Sequence, residues 1–561
     1  MSRRNSLLVS VAVAALSHLP SSASAESLSL VRIATMPEGA EVTGLSTNAM
    51  GELFLNAQHP GGKNTFRDDA PPALVGYVAG FDPSNATSMD LPAQDMRSGV
   101  AVANGEYVTF AKAGDTLGDG NILGGVYDVS GALMYVSNTP DFNGFIPRGD
   151  GSAYLYTGWE GAGRDGASTV SRLALSKVDG KWQADLAQSK VLDLSPVYGG
   201  AVLCSGIVTP WGTPLMAEEY FFYNSALWNH PNNNDEDERA SFQDGNDNTY
   251  IKSKSMSDYL GRMSNPYRYG YLIEVQDPTG AETLVKHYAT GRLSHETAAI
   301  MPDNRTIYMT DDDSGAYADA TYNSASGGVL FKFVADTAGD MSSGTLYAAK
   351  LVQDAETDPD KAGFDVTWVE LGHGSNAEIE TWAAEYDDVT TADYVEGQTS
   401  YISDDEVRAY AAGTANDARA AFLESRRTAA AMGATNEWDK LEGITSHSNT
   451  VYIAASGISY TMDKSWGHID WSTGTKDETN SGAIALDAEG CGGTYRAVTG
   501  DDFNITRIDP YVVGQTTSDG SCDLNRPANP DNILALNDGT LLIGEDAGSK
   551  KHTLDMLWMV K

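Results

Sequence analysis

Cys204 and the pair Glu218-Glu219 stand near the two ends of the stretch YGGAVLCSGIVTPWGTPLMAEEY, residues 198–220. Between them lies a tight turn, Pro210-Trp211-Gly212, with a short apolar run on either side. A hairpin lays the open ends of its two strands side by side. The thiol and the two carboxylates therefore share one edge of a sheet, as ligands around a metal ion would. The chain has 3 cysteines, an odd number. Cys491 and Cys522 lie in one loop-rich stretch and are expected to form a disulfide in an oxidising compartment. That leaves Cys204 unpaired, which in an exported protein needs a reason. It is either a small buried apolar residue or a metal thiolate, and the neighbouring glutamates favour the second.

Five further stretches repeat the device. Residues 41–59 run from Glu41 through Met50-Gly51 to Gln58 and His59, and residues 142–160 run from Asn143 through Gly149-Asp150-Gly151 to Glu160. Residues 295–313 start at Glu296, turn at Pro302-Asp303-Asn304 and end in Asp311-Asp312-Asp313. Residues 442–457 lead from Glu442 through His447-Ser448-Asn449 to Ser456, and residues 530–546 from Asp531 through Asn537-Asp538-Gly539 to Glu545-Asp546. Each is strand, turn and apolar strand, with polar or acidic groups at the open end. Recurring β units at long intervals predict an all-β fold, a six-bladed β-propeller with loop and short helical insertions. The open ends then meet at one mouth of the central channel. A ring holding Glu41, Cys204, Glu218, Glu219, Glu296, Asp312, Glu442 and Asp531 repels itself, and bound cations would make it stable. Any one of these acids alone reads as a strand end facing water; six recurrences argue otherwise.

The elements between these hairpins are less telling. Residues 229–250 form a polar loop dense in Asp and Asn, without the spacing of an EF-hand, and read better as a solvated loop than as a calcium site. Residues 403–431 are predicted helical, with Ser403 and Glu406 spaced as a capping box, and serve either as a lid or as packing on the rim. Residues 98–112 fit either a seventh blade or outer strands, and six blades are expected. His295, beside Glu296, reads as a core histidine rather than a partner of the metal ligands. There is no glycine-rich phosphate loop and no G-x-S-x-G elbow.

The N-terminus carries Arg3-Arg4, an apolar run Leu7–Leu16 and Ala23-Ser24-Ala25, which predicts a signal peptide over 1–25 and a single domain over 26–561. Ser2-Arg3-Arg4-Asn5 also outlines a twin-arginine signal, with Ser6 where an aromatic would strengthen it. No stretch is long and apolar enough to span a bilayer. The expectation is a periplasmic or extracellular monomer. The net charge of −40, from 77 acidic and 37 basic residues, argues against nucleic acid as a partner and suits a saline or calcium-rich exterior. With 57 Gly and 27 Tyr the composition fits a β-rich, turn-rich protein.

The stretch CSGIVTPWGTPLMAEE resembles the cysteine-to-double-glutamate motif of PhoX-type alkaline phosphatases. The likeness continues through YGYLIEV (269–275), GRLSHE (291–296), TDDD leading to GGVLFKFV (327–334), MGATNEWDKLEG (432–443) and PANPDNILALNDGTLLIGED (527–546). It implies a six-bladed propeller with Fe3+ and Ca2+ at one end of the channel, cleaving small-molecule phosphate monoesters outside the cytoplasm. By position Cys204 corresponds to the iron-binding cysteine, and Glu218, Glu219, Glu296 and Glu442 to the carboxylates shared among the metals. Two departures stand out. EVTGLSTNAMGELFLNAQHPG, a C-terminal element in the family, comes early here, as if the order were circularly permuted. Lys440 replaces the phosphate-facing arginine two residues before Glu442. Lysine keeps a point charge and loses the bidentate fork, which bears on substrate preference and on activity itself. In this reading Lys440 orients phosphate and Glu442 serves both chemistry and metal. The competing readings are a calcium-only propeller hydrolase of lactones, phosphodiesters or phosphotriesters, and a non-catalytic cell-surface binding propeller.

Overall fold

Six antiparallel hairpins carry the architecture. They are β1 (Glu41–Thr47) with β2 (Leu53–Gln58), β3 (Pro140–Pro147) with β4 (Ser152–Trp159), and β5 (Leu203–Val208) with β6 (Pro214–Glu218). The remaining three are β7 (His295–Ile300) with β8 (Thr306–Asp311), β9 (Leu441–His447) with β10 (Thr450–Ala455), and β11 (Pro530–Ala535) with β12 (Leu541–Glu545). The computed structural model describes residues 28–161, 166–219, 225, 228–231, 249–313, 327–466, 468–470, 475–477 and 482–561. The expected signal segment 1–25, and most of the polar stretch 229–250, lie outside these residues.

The first strands of the hairpins pack side by side in the order β1, β3, β5, β7, β9, β11, and β11 returns to β1. From this ring the sheets grow outwards. β2 continues into Leu74–Ala79 and Glu106–Lys112, β4 into Ala167–Val178 and Lys181–Val191, and β6 into Leu272–Gln276 and Thr283–His287. β7–β8 and β9–β10 occupy the two ends of one nine-stranded sheet, joined where Phe364–Ser375 meets Arg507–Val513. β12 pairs with Met556–Val560, which pairs with Leu30–Thr35, so strands from opposite ends of the numbering share a sheet. Within 98–112, Ala101–Val102 and Glu106–Lys112 are outer strands of two sheets.

Why these segments form the innermost strands is visible in their small side chains. A Cβ on Gly443 would lie 2.4 Å from the carbonyl oxygen of Asp531, and one on Gly44 would lie 2.7 Å from Asn143 Nδ2. Neighbouring first strands approach this closely only where a side chain is missing. Farther out, large aromatics fill the space between sheets: Phe54, Tyr77, Phe110, Phe145 and Trp182 pack between the β1–β2 and β3–β4 sheets.

A second regularity sets the direction of particular side chains. The pairing shifts between Leu203 and Gly206, His295 and Ala298, Leu441 and Ile444, and Pro530 and Ile533. In β3–β4 the partners jump from Phe142↔Gly158 to Pro140↔Trp159. These irregularities enclose Cys204, Glu296, Glu442, Asp531 and Asp141. A bulge bends the strand and re-aims the residue it contains.

The stretch 403–431 is helical in three short pieces, α3 (Asp404–Ala411), α4 (Arg419–Leu423) and α5 (Ser425–Ala431), after α1 (Thr249–Leu260) and α2 (Asn376–Ala384), which the sequence pattern did not reveal. Ser403 and Glu406 form the expected capping box. Ala420, Ala421, Phe422 and Leu423 are buried in the largest core cluster, so the insertion packs down. Among the described residues no helix is long and apolar enough to cross a membrane.

Cys491 and Cys522 are disulfide-bonded across a separation of 31 residues. Replacing both with serine is expected to lower unfolding free energy by about 2–4 kcal/mol, read from denaturant melts. Unchanged melts would show that the loop is held equally well by its hydrogen bonds.

Candidate metal centre

All six hairpins deliver donors to one place. Sγ of Cys204 lies 3.2 and 3.1 Å from the two carboxylate oxygens of Glu296. Four groups bring ligand atoms within 4.8 Å of one another: Asp141, Cys204 and Glu296; Glu160, Cys204 and Glu219; Glu296, Glu442 and Asp531; and Glu41, Asp531 and Asp546. The groups share Cys204, Glu296 and Asp531, so they form one continuous chain of eight carboxylates and a thiol. Cys204, Glu296, Glu442, Asp531 and Asp141 enter from the bulges of first strands. Glu160, Glu219 and Asp546 follow directly on β4, β6 and β12.

Burial first, and then mutual repulsion, hold most of these groups protonated far above their usual range. Glu160, Glu296 and Asp531 are raised well above it, as is the Cys204 thiol. Glu442 is pushed up to about 8, and Asp141 and Asp546 to about 7. Glu41 is the exception. Burial pushes its carboxyl up, but the charge of His59 and their hydrogen bond outweigh it and leave it lowered. His59 Nε2 sits 2.6 Å from Glu41 Oε1, and His59 rises to about 9 against its own burial. Gln58 donates to the other Glu41 oxygen at 2.9 Å. Lys440 supplies a second positive charge, 2.6 Å from Glu442 Oε1 and 3.8 Å from Asp312 Oδ2, with its side chain 38% exposed. Its backbone is left-handed, φ +52°, a conformation a lysine holds only under surrounding constraint.

Seven of the expected site residues come together: Cys204, Glu219, Glu296, Glu442, Glu41, Asp531 and, through its ion pair, Lys440. Two do not join the linked groups. Glu218 is completely buried on the other side of the strand, where its oxygens accept from Lys286 Nζ at 2.9 Å, Ala201 N at 3.1 Å, Gly270 N at 3.0 Å and Tyr271 N at 3.1 Å. Successive strand residues point to opposite faces, so Glu218 and Glu219 cannot serve one site. Asp312 stands at the margin beside Lys440, and its Oδ1 is buried without a hydrogen-bond partner among the described residues. His295 is a core residue, 2.9 Å from the Gly291 carbonyl oxygen, with burial pushing it down to about 4.

Asp141, Glu160 and Asp546 were not anticipated as ligands, although Glu160 and Asp546 end their hairpins. Asp141 lies just before the expected hairpin 142–160, whose opening polar residue, Asn143, joins a buried network with Asn56 and Thr157. The available signal was positional: Asp141, Cys204, Glu296, Glu442 and Asp531 are each the second residue of a first strand.

The donor set fits metal ions. Clustered carboxylates suit calcium, which takes six to eight oxygens in loose geometry, and a buried thiol among them suits a transition metal. The profile described as alkaline phosphatase PhoX matches residues 183–559, and the chain belongs to that family. That stretch holds Cys204, Glu219, Glu296, Glu442, Asp531 and Asp546; Glu41, Asp141 and Glu160 lie outside it. Among solved structures, Pseudomonas fluorescens PhoX in complex with vanadate, a transition state analogue, aligns at TM-score 0.51 and 17% identity over 92% of this chain and 84% of that one. Two glucose dehydrogenase structures align at TM-scores of 0.36 and 0.34, each at 9% identity over 95% of this chain and 99% of theirs. No curated protein sequence matches the chain.

Two outcomes follow. Glu218→Gln should cost roughly 3 kcal/mol by stranding the buried Lys286, with calcium affinity unchanged, whereas Glu219→Gln should weaken calcium binding with little loss of stability; calorimetric titration beside thermal melts reads both. Carboxyls raised on folding add stability below their unfolded range, near pH 4, and lose it as pH climbs through 7 to 8. Chelator-treated protein should therefore melt lower at pH 9 than at pH 5.5, and calcium should restore it at pH 9. A melt that rises with pH would contradict this.

Proposed function

We propose that the protein is an exported six-bladed β-propeller phosphatase that hydrolyses small-molecule phosphate monoesters at an Fe3+ and Ca2+ cluster in the channel mouth. The observation that carries the reading is the convergence of donors from all six hairpins on one chain of shared groups, in a member of this family. Cyclic packing of six first strands supports the propeller. The adjacency of Leu30–Thr35 and Met556–Val560 supports a permuted order, because a ring closed in this way tolerates a change of starting point. A disulfide, and the basic and apolar N-terminal sequence, support export.

Cys204, Glu219 and Glu160 would hold iron, with Asp141 and Glu296 shared, and Glu442, Asp531, Glu41 and Asp546 would hold calcium. When bound, these ions supply Lewis-acid chemistry, acidifying water and drawing charge from the phosphoryl oxygens. Cys204 would act as a ligand and not as a nucleophile: burial and the neighbouring carboxylates keep its thiol protonated, and a metal ion that displaced the proton to solvent would occupy the resulting thiolate. Lys440, half reaching solvent at the edge of the cluster, meets the phosphate dianion as a point charge and holds Glu442 in place. His59 and Gln58 fix both oxygens of Glu41 from behind. The surrounding burial keeps bulk water from screening these charges.

Hydrolysis of p-nitrophenyl phosphate at alkaline pH with calcium tests the proposal. Wild-type protein should turn over, and Cys204→Ala should lose roughly 100-fold or more, at least the cost of removing a supporting residue from a metal site. Folded, metal-loaded protein that cleaves a lactone or phosphodiester but no monoester would move the reading to a calcium-dependent hydrolase of another ester. No turnover on any ester would leave a binding propeller.

A further inference from the structure

Three consecutive acids, Asp311-Asp312-Asp313, close β8 next to the cluster. Side by side and buried they would repel, yet Asp312 must point towards Lys440 while its neighbours point elsewhere. The answer comes from the helical insertion. Arg426 on α5 is 1% exposed, and its guanidinium spans both neighbours. Nε donates to Asp311 Oδ2 at 2.7 Å and Nη2 donates to Asp311 Oδ1, while Nη1 donates to Asp313 Oδ2. Asp311 also accepts from the Ser294 amide at 2.9 Å and the Val329 amide at 3.2 Å. The amide of Asp312 donates to Ser294 O at 3.0 Å, and Ser294 in turn bridges to Glu219. Most telling, the carbonyl of Asp313 accepts the amide of Lys440 at 2.8 Å.

We propose that Arg426 is a positioning residue: through Asp311 and Asp313 it sets Asp312 and Lys440 as one phosphate-facing corner of the site. The inference rests on the phosphatase reading above and deepens it. Two of the three acids are neutralised from the helix side, so Asp312 alone faces the mouth. The left-handed turn at Lys440 is anchored by the residue that Arg426 grips. The helical insertion is thus a buttress of the substrate corner. A fork is required, because one planar cation must reach two carboxylates at fixed angles, and a lysine at this position keeps the charge without the geometry.

The test uses Arg426→Lys in the full chain, with Asp313→Asn as a second variant that keeps the Arg426–Asp311 pair. The first readout is amide hydrogen exchange. Peptides covering Lys440 should exchange about tenfold faster in both variants, while strands of the β1–β2 sheet stay at wild-type protection, as expected of local opening. Equal exchange at Lys440 overturns the proposal whatever the enzyme's activity. The second readout is calorimetric binding of inorganic phosphate to calcium-loaded protein, which should weaken roughly 10-fold, within the range typical of residues that support a metal site. Under turnover the loss should fall on KM more than on kcat. If both variants fold and bind phosphate as wild type does, Arg426 only stabilises. If wild type binds no phosphate and cleaves no monoester, the phosphatase reading fails, and the exchange data still decide whether Arg426 holds Lys440. Should Arg426→Lys fail to fold, Asp313→Asn carries both readouts.

Discussion

Eight carboxylates and a thiol packed into one protein interior cannot all be charged at once. Each negative charge taken out of water costs several kcal/mol, and each further one beside it raises the cost. Here the repulsion is met in part by Lys440 and by His59, and otherwise by retained protons, with Glu296, Glu160 and Asp531 held far above their usual range. Folding tolerates such a cluster only if the surrounding structure stabilises enough to offset it. The ring of first strands and the apolar sheets outside it are what provide that.

The same constraint explains the backbone. Donors from six separate hairpins must arrive within a few ångströms of one another, which ordinary strand alternation would not arrange. The bulges around Cys204, Glu296, Glu442, Asp531 and Asp141 turn five side chains inwards. Left-handed residues at His59 and Lys440 place the two basic partners. Strain of this kind persists only where neighbours determine it. The sheet that joins Leu30–Thr35 to Met556–Val560 closes the structure behind Asp531 and Asp546.

Much of this was legible before any coordinates. The acid–strand–turn–strand–acid recurrence located all six hairpins, because turn residues and strand length are local properties. It also located Cys204, Glu296, Glu442 and Asp531. What it could not resolve was which of two adjacent residues faces inwards. Glu218 and Glu219 are equivalent in a motif and opposite in a strand, and only the Lys286 partner, far along the chain, settles which is structural. Asp141 falls outside the expected hairpin 142–160 for a related reason: a bulge shifts the inward position. Asp312 was expected in the ring, but its bond to Arg426 was hidden, because that pairing spans more than a hundred residues and depends on how the helices dock. The helices α1 and α2 lacked a strong apolar stripe, and tertiary packing decides them.

Calcium titration of chelator-treated protein by calorimetry, repeated at pH 7 in buffers of different ionisation enthalpy, tests the central claim most directly. Ligands that hold protons because they are buried together must release them as a cation enters. The account predicts calcium binding with net release of protons in wild-type protein, reduced when Glu296 or Asp531 is replaced by its amide. Binding without proton release, or folded protein that takes up no calcium, would contradict it.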